Sequence, residues 1–205
     1  MKRNMLLVLA TLLIGTAVGP LTPSAQAQRG RRSAALDADA KAALIEALAG
    51  QDGEYAARAE YAAILEAFGG TVQPYANILL AEQKHVAALK QQCVKYGVEI
   101  PDDSYFGNVE APEDLLQAAL AGVAAEEANI AMYDGLLLKV QKYPSLVQVF
   151  TNLRAASLNN HLPAFEAAVL NNGTTSAIGV CGSGQPSGTQ DRLHQRLQDG
   201  SCLGQ

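Results

Sequence analysis

Tryptophan is absent from these 205 residues, and aromatic side chains make up only 5% of them. Few large rings and much alanine suit helices that pack closely, rather than sheets built on aromatic and β-branched pairs. No excess of Lys and Arg exists either: the formal net charge is -5, which leaves no basic footprint for nucleic acid. Missing too are a Ser/His/Asp nucleophile set, a phosphate-binding glycine loop, a paired-acid glycosidase signature and a rubredoxin-type Cys-x-x-Cys pair. No run with the two-residue period of a strand competes with the helical patterns.

The longest apolar run, "MLLVLATLLIGTAV" from Met5 to Val18, follows Lys2 and Arg3 and precedes Ala25-Gln26-Ala27. A charged start, a short apolar stretch and small residues at a cleavage point read as a secretory signal over residues 1–27. The run is short for a membrane span. The mature protein is therefore expected in an exported compartment, periplasm or extracellular, with no membrane contact after cleavage.

Only three cysteines occur, Cys93, Cys181 and Cys202. Export permits disulfides, and Cys181 and Cys202 flank a Gly/Ser-rich tail that cannot build a core, so these two are expected to bridge. Cys93 lies in a helical pattern and reads as a small buried apolar residue.

What is present is helix punctuation. Asp37 or Asp39 caps a short helix running to Leu48. A second runs from near Asp52 to Phe68, before Gly69-Gly70. A third runs from near Pro74 to Tyr96, before Gly97. A connector without period follows. A long helix spans Pro112 to Lys142, and a last one spans about Ser145 to Leu170, with Pro163 expected to kink it. The fold class is all-α: a four-helix bundle over residues 36–172 with a short leading helix. Residues 173–205 form a tail, in which "DRLHQRLQD" is a candidate short helix.

Inward stripes follow from 3-4 spacing. The third helix gives Tyr75, Ile78, Glu82, His85, Leu89, Gln92 or Cys93, and Tyr96. The long helix gives Leu116, Ala119, Val123, Glu126, Ile130, Tyr133, Leu137 and Val140, with Asn129 at the stripe's edge. The second gives Glu54, Arg58, Tyr61, Leu65 and Phe68. The last gives Val147, Phe150, Arg154, Ser157, His161, Ala164 or Phe165, and Ala168.

Every main helix thus carries a potential ligand on its inward face. Three unpaired buried carboxylates, Glu54, Glu82 and Glu126, would be costly, and a divalent ion offsets the charge. Carboxylates with His85 and His161 inside a bundle are the donor set of iron, manganese or zinc sites. Glu82-x-x-His85 lets one helix give two ligands to a shared site. The metal-free alternative pairs Arg58 with Glu54 and lets Tyr61 and Tyr133 satisfy other carboxylates.

The stretches "EYAARAEY" (Glu54 to Tyr61), "YANILLAEQKHVAAL" (Tyr75 to Leu89), "GVAAEEANIAMYD" (Gly122 to Asp134) and "NLRAASLNNHLPAF" (Asn152 to Phe165) resemble the ferritin-like superfamily. The nearest likeness is to a rubrerythrin-related bacterial and archaeal family of unknown function. That resemblance implies a two-iron site. Glu54, Glu82 and His85 match its first half. In the second half Glu126 and His161 match, but Asn129 and Leu158 stand where acids are expected. The metal ligands expected are Glu54, Glu82, His85, Glu126 and His161, with Asn129 a neutral sixth. The functions it implies are metal-dependent oxidase or peroxide-reducing activity with one or two iron ions, a non-catalytic metal-binding module, or a structural bundle that has lost its metal. Whether the chain is an enzyme stays open at this point, as does assembly, with a homodimer one arrangement.

Overall fold

The computed structural model describes residues 35–175, and all regular structure among them is helical. The expected signal segment, the Cys181–Cys202 bridge and the C-terminal short helix lie outside the described residues. Helix α1 spans Ala38–Ala49, α2 Glu54–Phe68, α3 Tyr75–Tyr96 and α4 Leu115–Lys139. The last arm of the bundle is α5, Pro144–Ala156, then a π-helical turn over Ser157–His161, then α6, Leu162–Leu170.

Local chemistry sets these bounds. Asp37 caps α1 by accepting from the Ala40 N–H, and Asp114 caps α4 by accepting from the Gln117 N–H. Helix α4 therefore starts three residues later than Pro112 suggests and ends at Lys139, before the turn that leads to Pro144. Helix α3 closes on Gly97 in the left-handed conformation (φ 66°), whose N–H reaches the Cys93 and Val94 carbonyls.

Pro163 does not merely kink the last helix. It has no N–H, and its ring crowds the carbonyl one turn back. The chain widens into the π turn, where the Leu162 N–H bonds to the Ser157 carbonyl, and α6 begins with Pro163 in its first turn.

Burial divides the interior into two apolar halves. At one end Leu44, Leu48, Tyr55, Leu89, Tyr133 and Phe150 pack with Cys93, which is fully buried as expected. At the other, Tyr61, Ile64, Tyr75, Ile78, Val123 and Phe165 pack together. Gly122 makes the second half close: a Cβ there would lie 2.7 Å from the Phe165 ring.

These clusters also give the topology. Helix α2 begins in the first half and ends in the second, and α3 returns. Helix α4 runs parallel to α3, so the long connector over 97–114 must travel the length of the bundle, and α5–α6 runs back. One long crossover in an otherwise antiparallel bundle is the connectivity used by bundles that build carboxylate metal sites in their cores. Among the described residues no helix is long and apolar enough to cross a membrane.

Candidate metal centre

Between the two apolar halves lies a polar waist. Glu54, Glu82, Glu126, Asn129, Ser157 and His161 are all buried there. His85 closes the layer with a side chain 12% exposed. The four main arms each contribute to it.

Glu82 is the centre of the layer. Its Oε2 lies 3.0 Å from His85 Nδ1, and its Oε1 lies 3.0 Å from His161 Nδ1. His85 Nδ1 also approaches Glu54 Oε2 at 3.2 Å, and His161 Nδ1 approaches Glu126 Oε1 at 3.4 Å. Two three-residue groups result, Glu54–Glu82–His85 and Glu82–Glu126–His161. Within each, one donor atom per residue lies within 4.8 Å of the others. The two imidazoles stack at 5.5 Å between centroids, with 24° between planes.

The flanks repeat the same device. Tyr133 donates to Glu54 Oε1 at 2.5 Å, and Tyr61 donates to Glu126 Oε1 at 2.7 Å. In α2 the tyrosine follows the glutamate by two turns, and α4 repeats the spacing, so each helix presents both on one face. Each glutamate takes its hydroxyl from the opposite helix.

The electrostatics follow from crowding acids away from water. Burial, then the neighbouring Glu82 carboxylate, raises Glu54 to about 8. Burial also works against ionised Glu82, yet its contacts with Glu54, His161 and His85 hold it well below the usual carboxylate range. Burial opposes a charged His85, but Glu54 and Glu82 outweigh it and raise the ring to about 10. His161 follows the same pattern and rises to about 9 beside Glu126 and Glu82. Burial, then Glu126 for Tyr61 and Glu54 for Tyr133, raises both phenols, which therefore stay protonated donors.

The donor set fits a divalent ion by composition, with three carboxylates and two imidazoles. A second observation supports the fit: His161 Nδ1 is buried and meets no oxygen with hydrogen-bond alignment, despite the two carboxylates beside it. A buried polar atom left so is uncommon and calls for a partner, an ion among the candidates.

Not all expected residues join. Asn129 is buried beside Glu126, but its amide is engaged elsewhere. Its Nδ2 donates to the Asp52 carbonyl at 3.0 Å, and its Oδ1 accepts from Ser157 at 2.9 Å. Arg58 does not neutralise Glu54; it turns outward to pair with Asp103 and lies over the Phe106 ring. The metal-free salt bridge is therefore not formed, although the tyrosine pairing is. Arg154 does not face inward either: Leu153 takes the interior position, and Arg154 grips Asp134 at 2.6 and 3.0 Å. Leu158 is 39% exposed. The π turn puts Ser157, not Leu158, on the inner face with His161, so an acid at 158 would point outward.

Glu60 is an addition that the 3-4 stripe omits. Burial, then the Glu126 charge, raises its carboxyl. With Asp52, Glu82, Glu126 and Asn129 it lines a cavity of about 140 Å³ between α2 and α4. Its place next to Tyr61 in "EYAARAEY" was the one available signal.

No protein-family model matches the chain, and neither does any curated protein. Among solved structures, a hypothetical protein from Methanococcus jannaschii DSM 2661 superposes with a TM-score of 0.56 at 22% identity, over 77% of this chain and 91% of that one. The likeness is one of fold.

Proposed function

We propose that this chain is an exported, ferritin-like, rubrerythrin-related protein that binds two metal ions in its polar waist, and that the ions are iron. The observation that carries the reading is Glu82, whose two carboxylate oxygens each serve a separate imidazole. Glu54, Glu82 and His85 would hold one ion, and Glu82, Glu126 and His161 would hold the other. Bound iron would supply electron transfer to oxygen or peroxide, so the proposed reaction is oxidase or peroxide-reducing chemistry; manganese and zinc are the alternative ions.

The protein's own residues have definite tasks in this reading. Glu54 and Glu126 would neutralise ion charge, and Tyr133 and Tyr61 fix their orientation through the hydrogen bonds already formed. His85 and His161 give up their protons to bind, as imidazole ligands must. The apolar halves above and below limit access of water. Export rests on the charged start and apolar run of residues 1–27, and the mature chain is proposed to act without nucleic acid or membrane partners.

A second reading, a metal-binding module without turnover, is favoured by one feature. Among the described residues only three carboxylates meet the imidazoles, because Asn129 is tied to Asp52 and Ser157 and Leu158 faces outward. Oxygen and peroxide consumption by the iron-loaded chain separates the two. Turnover that is lost in Glu82→Ala supports the redox reading, and stoichiometric iron without consumption supports the module.

A further inference from the structure

On the side of the waist away from the acidic cavity, between the start of α3 and the π turn, a larger cavity of about 410 Å³ opens to the surface. Its chemistry is unlike that of its neighbour. Asn77 and Asn160 are exposed at its mouth, Ala81 and Ala164 form walls, and buried Ile78 and His161 lie at the floor. His161 is the one titratable residue among the described residues that line it. Among the described residues that line it there is neither a Lys or Arg that would hold an anion nor a carboxylate that would hold a cation, and Glu82 and Glu126 at Nδ1 already offset the charge of a protonated His161. Volumes of roughly 300–1,000 Å³ with mostly apolar walls and a few polar groups are those of small-molecule sites.

His161 belongs to both places. Its Nδ1 is turned to Glu82 and Glu126, and its other ring nitrogen, Nε2, has no protein partner among the described residues. An imidazole that uses one nitrogen at a metal or carboxylate normally pairs the other with an acceptor or with water. Here the ring borders an open cavity, and its side chain is only 5% exposed. A hydroxyl meets the requirement whichever way the ring is protonated, because it both donates and accepts.

We propose that this cavity binds a small uncharged organic molecule bearing a hydroxyl, with the hydroxyl on His161 Nε2, the apolar body against Ile78, Ala81 and Ala164, and the Asn77 and Asn160 amides at the rim. The inference goes beyond the metal reading and does not need it, since the cavity and the free nitrogen are present with no ion bound.

Calorimetric titration of the full chain, metal-free and zinc-loaded, tests it with three probes of similar size: p-cresol, toluene and 4-hydroxybenzoate. The expected result is one p-cresol per chain. Toluene, which lacks the hydroxyl, and 4-hydroxybenzoate, which adds a charge, should each bind at least about tenfold more weakly, because a buried polar group is left unpaired or a charge is desolvated. Ala81→Phe, which fills the cavity, should weaken p-cresol at least about tenfold while helical circular dichroism is kept; Ala164→Phe serves if the first variant misfolds. Absence of p-cresol binding, equal binding of toluene or 4-hydroxybenzoate, or binding unchanged in a folded filled variant overturns the proposal. Metal uptake is read separately by elemental analysis, so loss of the metal reading and loss of this one are distinguishable.

Discussion

Tyr133 donates a 2.5 Å hydrogen bond to Glu54, from one helix of the bundle to another. Tyr61 returns the same bond to Glu126 at 2.7 Å. The pair of bonds ties α2 to α4 across the waist; Glu54 keeps its other oxygen, Oε2, for His85, whereas Glu126 meets both Tyr61 and His161 through Oε1.

Removing one hydroxyl leaves a buried carboxylate short of a donor. Tyr61→Phe or Tyr133→Phe is expected to destabilise the metal-free protein by about 1–3 kcal/mol. Metal affinity should fall by roughly 10–100-fold, the usual effect of losing a residue that orients a ligand. Urea unfolding and competitive metal titration check the two effects. A wild-type affinity in either variant would show that the tyrosines only fill space.

The pH dependence has a definite sign. Glu54 is raised from 4.5 to about 8, His85 from 6.5 to about 10 and His161 from 6.5 to about 9. In each case the folded state keeps a proton that the unfolded chain releases first. The histidine contributions are complete below about pH 6.5 and are lost as pH rises through about 9 to 10, and the Glu54 penalty grows between about 4.5 and 8. Glu82 opposes them only in acid, where its stabilisation is lost as pH falls below its usual range. The metal-free protein should therefore be most stable in mild acid and weaken steadily toward pH 10. A bound ion displaces the same protons, so metal affinity should rise over that range. Urea midpoints at several pH values, with and without zinc, check both trends. A metal-free midpoint that rises from neutral to alkaline pH would contradict the charge assignment.

Much of this was legible in the sequence. Gly69, Gly97 and Asp37 marked helix ends, and a 3-4 repeat put Glu82, His85, Glu126 and His161 inside. Other features were not legible, for physical reasons. Pro163 predicted a kink, but whether a helix bends or widens depends on what it packs against, and the π turn that turns Leu158 outward follows from that. Arg58 lies on a stripe with Glu54, yet its partner, Asp103, comes from the long connector, which has no period to read. Asn129 looked like a ligand, because its partners Asp52 and Ser157 are distant in sequence.

Gly122 tests the packing of the second apolar half. The Phe165 ring occupies the space a methyl would need, at 2.7 Å. Gly122→Ala gains helix propensity of about 1 kcal/mol, but overpacking costs typically 1–3 kcal/mol. A net loss of stability is expected by thermal unfolding, relieved when Phe165→Leu is added. A simple gain in stability would mean that the ring moves aside freely.

The central claim is that Glu82 joins two metal positions, and metal stoichiometry tests it most directly. Elemental analysis after reconstitution with iron, manganese or zinc should give two ions per wild-type chain, one in Glu54→Gln or Glu126→Gln, and none in Glu82→Ala with His85→Ala. A wild-type chain that holds no metal, or a Glu82→Ala, His85→Ala variant that still holds two ions, would contradict it.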